Sequence, residues 1–492
     1  MRMLSKVLAG SAAMATLVSV GLASSAQAQV TKPHTAVRAT LTVKPSKVPA
    51  GLVTAVNVSN PCATGTKPSS VTGFPAPNGT TTNLQAILPQ APKAIRIAGV
   101  WPPTPPTSYT ITVKCSSGPA TSTGTVTVQS GPQPASVVGV GSDTIQNVMD
   151  QFSADYNTSK NSASLYSWDA TNPVTGAQGD SIATKQGCAA IPRPDGSSAG
   201  ITALTTENGS TSGHPCIDFA RSSRARGSGD PTSITFVTLA GDAVTYATQP
   251  GTNAPGNLTT ADLTGIYNCT ITQWNQIPGN SGGSSATIAA MLPQNGSGTR
   301  SFFLSAIGLT APGPCVSTSA TQQGSGGAND NTLQENEGVA PSLNTNTANV
   351  IFPFSVGKYL AERYHSASCG SISQCFASPN KCAPNAKQNL FGCNERGTMN
   401  LNMINGTNPT VPFPLTNSTT GAVTNSAFTP TFTRFLYEVV NQPEFGIPSY
   451  LQPYFSSTGW VCTNSTAKTD LKNYGFIVLP AGTAAGDCGS LS

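Results

Sequence analysis

Charge is scarce in this chain: only 9% of its 492 residues are Asp, Glu, Lys or Arg, with 25 basic against 20 acidic. If Arg2 and Lys6 leave with a cleaved leader, the balance is 23 against 20. No basic run exists, so neither nucleic acid nor an inserted membrane contact is implied as a partner. Histidine is scarcer still, at His34, His214 and His365. No His-x-x-x-His or Glu-flanked pair suggests a metal site, and no nucleophile elbow is read between a strand and a helix. These absences speak against an enzyme, and no catalytic residue, cofactor or metal is assigned. No cysteine precedes Cys62, so no lipid-attachment cysteine is read near the N-terminus. No later stretch reaches the roughly 18 apolar residues of a membrane span.

What is present begins with a leader. Arg2 and Lys6 are followed by an apolar run through Val18, Val20 and Leu22, then by Ala26-Gln27-Ala28, a small-x-small cleavage pattern. Residues 1–28 are read as a signal peptide, and the protein as secreted or periplasmic. Twelve cysteines, an even number, suit an oxidising compartment. Pairing of sequence neighbours gives Cys62–Cys115, Cys188–Cys216, Cys269–Cys315 and Cys462–Cys488, with two further pairs among Cys369, Cys375, Cys382 and Cys393. Zinc is the alternative for that last group, though no CxxC spacing supports it. Apolar residues make up 38% of the chain and fall in periodic segments, which argues against disorder for most of it.

Residues 29–130 read as a small all-β sandwich domain. Short alternating runs recur at 41–43, 53–58, 95–97, 109–113 and 124–129, separated by Pro- and Gly-rich turns. It resembles an immunoglobulin-like module loosely. Gly131-Pro-Gln-Pro134 opens a linker over 131–135. From 136 to 492 the texture changes to alternating strands and helices, an α/β domain. Val137–Val140 predicts a buried strand, and the spacing of Ile145, Val148, Met149, Phe152 and Tyr156 a helix. A second helix is predicted over 299–307, after a strand over 288–292. A third helix is read from Phe432, Phe435, Leu436, Val439 and Val440, and a closing strand from 476–479.

Three segments share one design, a strand or extended run, then small hydroxyl residues, then a first helical turn. They are Gly141-Ser142-Asp143-Thr144, Gly196-Ser197-Ser-Ala-Gly200 and Gly296-Ser297-Gly298-Thr299. A helix start leaves backbone N–H groups unpaired and carries partial positive charge. Glycine permits close approach, and hydroxyls donate, so such a start can cradle an anion. Each segment alone is more often a simple helix cap. A fourth segment holds Arg221, Ser222, Ser223, Arg224 and Arg226. Three arginines within six positions, in so uncharged a chain, suit a guanidinium fork on an oxyanion, with a solvated loop as the alternative.

In order and rough spacing these four segments resemble the PstS-like phosphate-binding proteins, over roughly residues 135–480. Leu258–Leu263, Ile266-Tyr267, Ile271 and Trp274 resemble that family's stretch before the Ser-Gly-Thr loop. Glu335-Asn-Glu-Gly338 and Ile351–Ser355 resemble segments of an exported, cysteine-containing branch. The resemblance implies a two-lobed type II periplasmic-binding-protein fold with ligand between the lobes. It implies Thr144 and Ser197 on the anion from one lobe, and Ser297, Gly298 and Thr299 from the other. Ser142, Asp143, Arg221, Ser222, Ser223 and Arg224 complete the candidate ligand-binding set. Two positions depart from the family. Ser223 stands where it has an aspartate that accepts a phosphate proton, and Pro293 where it has an arginine. Arg221, Arg224 or Arg300 is read as a replacement cation, and Asp143 as a replacement acceptor. The expected function is a solute-binding protein that captures inorganic phosphate or a similar oxyanion for an ABC-type importer. The alternatives are an extracellular adhesion or scaffold protein with a vestigial clamp, and a secreted hydrolase using His214.

Overall fold

The computed structural model describes residues 41–492 apart from 63–65, 77–81, 83, 89–93, 103–106, 117–120, 160–163, 208, 319–332, 339–346, 366, 369–392, 414–420 and 443–445. The leader and the cysteine cluster at 369–393 therefore lie outside the described residues or side chains. The described part falls within one compact unit.

The N-terminal runs form eight strands in two four-stranded sheets. In chain order they are β1 (Val43–Lys44), β2 (Lys47–Pro49), β3 (Val53–Val58), β4 (Pro68–Thr72), β5 (Gln85–Ile87), β6 (Ile95–Val100), β7 (Thr107–Cys115) and β8 (Thr121–Gln129). One sheet runs β1-β3-β6-β5 and the other β2-β8-β7-β4. Alternate residues of both, among them Val56, Ile97, Ile111, Val113, Val126 and Val128, share one buried cluster, as period-2 patterning requires. The Cys62–Cys115 disulfide joins the chain leaving β3 to the end of β7 and so ties the two sheets together. The β layer also docks on the first helix of the α/β body. Arg96 pairs with Asp155 at 2.6 Å, and Val53, Ala55, Ala98 and Val100 pack with Ala154 and Val174.

The α/β body is built on one mixed sheet. Its strands are β9 (Val137–Gly141), β10 (Leu165–Ser167), β11 (Phe219–Ser222), β12 (Ile234–Thr248), β13 (Ala289–Ala290), β14 (Val350–Ser355), β15 (Asn400–Leu401) and β16 (Thr433–Asn441). The order is β10-β9-β11-β16-β12-β14-β13, with β15 also on β12. β12 spans 15 residues, all buried. Its first part pairs with β16 and its last part with β14, so one strand serves both lobes. Each lobe has its own core. Leu263, Tyr267, Trp274, Phe303 and Phe352 anchor one, and Val137, Phe152, Phe219, Leu436 and Trp460 the other. The fold is α/β and two-lobed, as the sequence implied. Four helices matter to the site or its neighbours: α1 (Gln146–Ser159), α2 (Ser197–Thr206), α3 (Thr260–Tyr267) and α4 (Gly298–Ala306).

Three sequence-based assignments are corrected. The helix read around 432–440 is strand β16. It lies between β11 and β12 and is buried along most of its length. A central strand covered on both faces loses its period-2 alternation, so its apolar residues can mimic helical spacing. The predicted strand 476–479 shrinks to a single bridge, Ile477 to Gly241. That edge of β12 is shared with the C-terminal residues, which bond to Phe236 and Thr238, and with β14. The strand over 288–292 is likewise only two residues long. Four of the expected disulfides are present: Cys62–Cys115, Cys188–Cys216, Cys269–Cys315 and Cys462–Cys488.

Candidate functional site

The four motif segments meet between the lobes because each ends a strand or opens a helix at the same edge. Gly141 closes β9 and sits beside Arg221 of β11 in parallel register. Its φ is +112°, and a Cβ there would lie 2.7 Å from the Arg221 carbonyl, so glycine is required. Ser142 to Thr144 then turn into α1. Ser223 follows β11, Ser197 opens α2, and Ser297-Gly298-Thr299 opens α4. A Cβ on Gly298 would lie 2.3 Å from the Oγ atoms of both Ser197 and Ser223, so the two lobes touch here through a residue without a side chain. Ser198 N–H donates to the Gly296 carbonyl at 3.1 Å across the same junction.

At this meeting point lies the carboxylate of Glu335. Its Oε1 accepts from Ser142 Oγ at 3.3 Å, Thr144 Oγ1 at 2.9 Å, Ser223 Oγ at 2.7 Å, Thr299 Oγ1 at 2.8 Å and Thr299 N–H at 3.2 Å. Ser197 stands one step behind: its Oγ is 3.2 Å from Ser223 Oγ and accepts from Ser223 N–H at 3.0 Å. All of these residues are buried. Five donors on one oxygen exceed the usual capacity of a single carboxylate oxygen and describe a cradle for negative charge.

The cation of the cradle is Arg434, on β16. Its Nη2 donates to Thr299 Oγ1 at 3.1 Å and Nη1 to the Ser223 carbonyl at 2.9 Å. Nε and Nη2 bond Asp242 Oδ2 at 3.0 and 2.8 Å. One guanidinium thus links β12, the end of β11 and the start of α4. Sequence reading missed Arg434 because it was placed in a helix and stands alone, outside any motif. Glu335 was named within a familiar segment but given no role.

The other named residues are placed elsewhere. Arg221 is fully buried, but its guanidinium donates to the Ser142 and Gly141 carbonyls at 2.7 and 2.8 Å and to Ser167 Oγ. It fixes the 141–142 turn from behind rather than facing the cradle, and burial lowers its pKa. Arg224 forms a two-point pair with Asp230 at 2.6 and 2.8 Å. Arg300 donates to the Pro293 carbonyl. None of these three guanidinium groups donates to Glu335 or to a hydroxyl that bonds it. Ser222 Oγ donates to the Arg224 carbonyl, and Ser297 Oγ caps α4 by accepting from Arg300 N–H at 3.1 Å. Both serve local backbone. Asp143 Oδ1 accepts from Asn336 Nδ2 at 3.1 Å. Burial pushes the Asp143 carboxyl well above the ordinary carboxylate range, and the nearby Glu335 adds to this against the pull of Lys358.

The segment 196–200 also spells Gly-x-Ser-x-Gly at Ser198, which the sequence reading passed over. Ser198 Oγ accepts from Arg224 Nε at 3.3 Å. Among the described residues no histidine hydrogen-bonds to it. His214 lies on a short hairpin strand, one residue before Pro215 and next to the Cys188–Cys216 bridge.

A family model described as "PBP superfamily domain" matches residues 126–351. The chain is thus similar to that superfamily over 226 of its 492 residues. All four motif segments and Glu335 fall within the matched residues, whereas Arg434 lies beyond them. The resemblance to PstS-like proteins read from the motifs therefore stands within the PBP superfamily. No curated protein matches the chain. Among solved structures, an ABC-type phosphate transport receptor from Vibrio cholerae is 15% identical over 69% of this chain and 99% of its own, with a TM-score of 0.37. PstS from Borrelia burgdorferi is 17% identical over 70% and 98%, with a TM-score of 0.33. At such values neither likeness bears on ligand or mechanism, which rest on the residues of this chain.

Proposed function

We propose that this protein is an exported solute-binding protein that captures a small oxyanion, inorganic phosphate first, and delivers it to an ABC-type importer. The observation that carries the reading is the convergence of donors from both lobes on a single anionic oxygen, Glu335 Oε1. A phosphate oxygen at that point would accept from Thr144, Ser223 and Thr299, with Arg434 one bond away. Ser142 and Ser197 would hold Ser223 in position. Hydrogen bonds to a charged group are worth roughly 1.5–3 kcal/mol each. Four of them, from the hydroxyls of Thr144, Ser223 and Thr299 and the Thr299 N–H, total roughly 6–12 kcal/mol, and the upper part of that range covers the about 8 kcal/mol of a micromolar complex together with association costs of order 4 kcal/mol. Capture would be lobe closure, with no covalent step. Four disulfides among the described residues support an oxidising, extracytoplasmic setting.

A second reading, a scaffold with a vestigial clamp, is favoured by one observation, the filling of the cradle by the protein's own carboxylate. Titration calorimetry with phosphate and sulfate in competition, at pH 6 and pH 8, separates the two. A receptor gives saturable heat with phosphate that Thr299→Ala diminishes. A scaffold gives none with either anion, in the native protein or after removal of the Glu335 carboxylate.

A further inference from the structure

We infer that Glu335 is a specificity-determining residue, a tethered anion that occupies the cradle and sets which external anions can displace it. This rests on the oxyanion reading above. Glu335 Oε1 takes the hydroxyls of Thr144, Ser223 and Thr299 at 2.7–2.9 Å together with the Thr299 N–H in the first turn of α4. An incoming oxygen seeks those same donors, and two oxygens cannot share them. Binding is therefore exchange, not addition.

The backbone around Glu335 is fastened, so only its side chain has to move. Leu333 is fully buried in one lobe's core, and its carbonyl accepts from Gln294 N–H at 2.8 Å. Asn336, at φ +56°, donates to Asp143 Oδ1 and Thr144 Oγ1, and its Oδ1 accepts from Ser355 N–H at 2.8 Å. Glu335 also lines a recess whose walls include Asp143, Gln146, Glu337 and Glu395.

Exchange selects by charge and by oxygen count. A tether presents its carboxylate at an effective concentration on the order of millimolar or higher. A free carboxylate or other monoanion offers the donors nothing that Glu335 does not, and it loses translational freedom on binding. No described residue donates to Glu335 Oε2, so the tethered group is an incompletely satisfied occupant. A tetrahedral dianion brings further acceptor oxygens and more charge towards Arg434. The ligand class is therefore a multiply charged tetrahedral oxyanion, with carboxylates and monoanions excluded.

The test is calorimetric titration of phosphate into the native protein, Glu335→Ala and Glu335→Gln, with melting temperatures measured in phosphate and in acetate. Glu335→Ala is expected to bind phosphate at least about tenfold more tightly than the native protein. It is also expected to melt higher in added acetate, which leaves the native protein unmoved. A purely structural role for Glu335 would not produce that acetate response. Equal phosphate affinity in native and variant proteins overturns the inference and leaves the oxyanion reading intact. So does weaker binding by both folded variants, which would make Glu335 a ligand contact. Absence of phosphate binding in all three proteins overturns the oxyanion reading itself, and this inference with it.

Discussion

Replacing Arg434 by methionine probes the least expected part of the cradle. The side chain is 2% exposed and its partner Asp242 is 0% exposed. The change removes four hydrogen bonds, two to Asp242 and one each to the Ser223 carbonyl and Thr299 Oγ1. Breaking a buried ion pair from one side costs roughly 3–5 kcal/mol, because the remaining charge stays buried without its counter-charge. Asp242 keeps Ser355 Oγ at 2.8 Å and Gly357 N–H at 2.9 Å, which places the expected loss near about 3 kcal/mol, the lower end of that range. Urea unfolding followed by tryptophan fluorescence reads this as a lowered midpoint, by less than about 1 M, because the slope for a chain this long exceeds the 1–3 kcal/mol/M of small proteins. Asp242→Asn added to Arg434→Met recovers part of the loss, since the uncompensated charge is gone. Arg300→Met, which forfeits one bond to the Pro293 carbonyl, serves as control and shifts the midpoint little. A loss below about 1 kcal/mol in Arg434→Met, with no recovery in the double variant, would refute the view that this guanidinium ties the lobes at the cradle.

Other outcomes rest on the same geometry. In the Glu335→Ala background, Thr299→Ala weakens phosphate binding by about tenfold, one charge-assisted hydrogen bond's worth. The same change in the native background has a smaller effect in calorimetry, because Thr299 holds the competing carboxylate too. Burial raises the pKa of Asp143, Asp150, Glu362 and Glu438 well above ordinary carboxylate values. A carboxyl that binds its proton more tightly when folded stabilises the fold below its unfolded pKa, and that contribution is lost as pH rises through the folded value. The melting temperature, measured by calorimetry, should therefore rise as pH falls from 7 towards about 4.5, and a steady fall over that range would contradict this burial. Replacing Cys62 and Cys115 by serine opens a loop with a sequence separation of 53, worth about 4 kcal/mol in a chain-entropy account. Limited proteolysis should then cut the β layer first and leave the α/β body intact.

Much of this architecture was legible in the chain. The alternating runs of the β layer, the helices after Thr144 and Ser297, and four disulfides by neighbour pairing all arise from local patterns that tertiary structure did not override. Thr144, Ser223 and Thr299 were named because glycine and hydroxyl residues before a helix have a physical reason to hold an anion, and the fold brings all three to Glu335. What was not legible depended on distance. Arg434 is separated from Thr299 by 135 positions and lies in a strand buried on both faces, where periodicity misleads. Glu335 reads as an ordinary acidic residue until the fold brings it to five donors. Arg221 and Arg224 show the converse situation. A local cluster of guanidinium groups looked like a binding site, but one braces two carbonyls and the other pairs with Asp230.

The most direct measurement is the structure of the Glu335→Ala protein crystallised with phosphate. The account predicts one tetrahedral anion between the lobes, accepting from Thr144, Ser223 and the N–H and hydroxyl of Thr299, with Arg434 beside it. Phosphate bound at Arg224 or Arg300 with the cradle free of anion, or donors turned away from a common point, would contradict it.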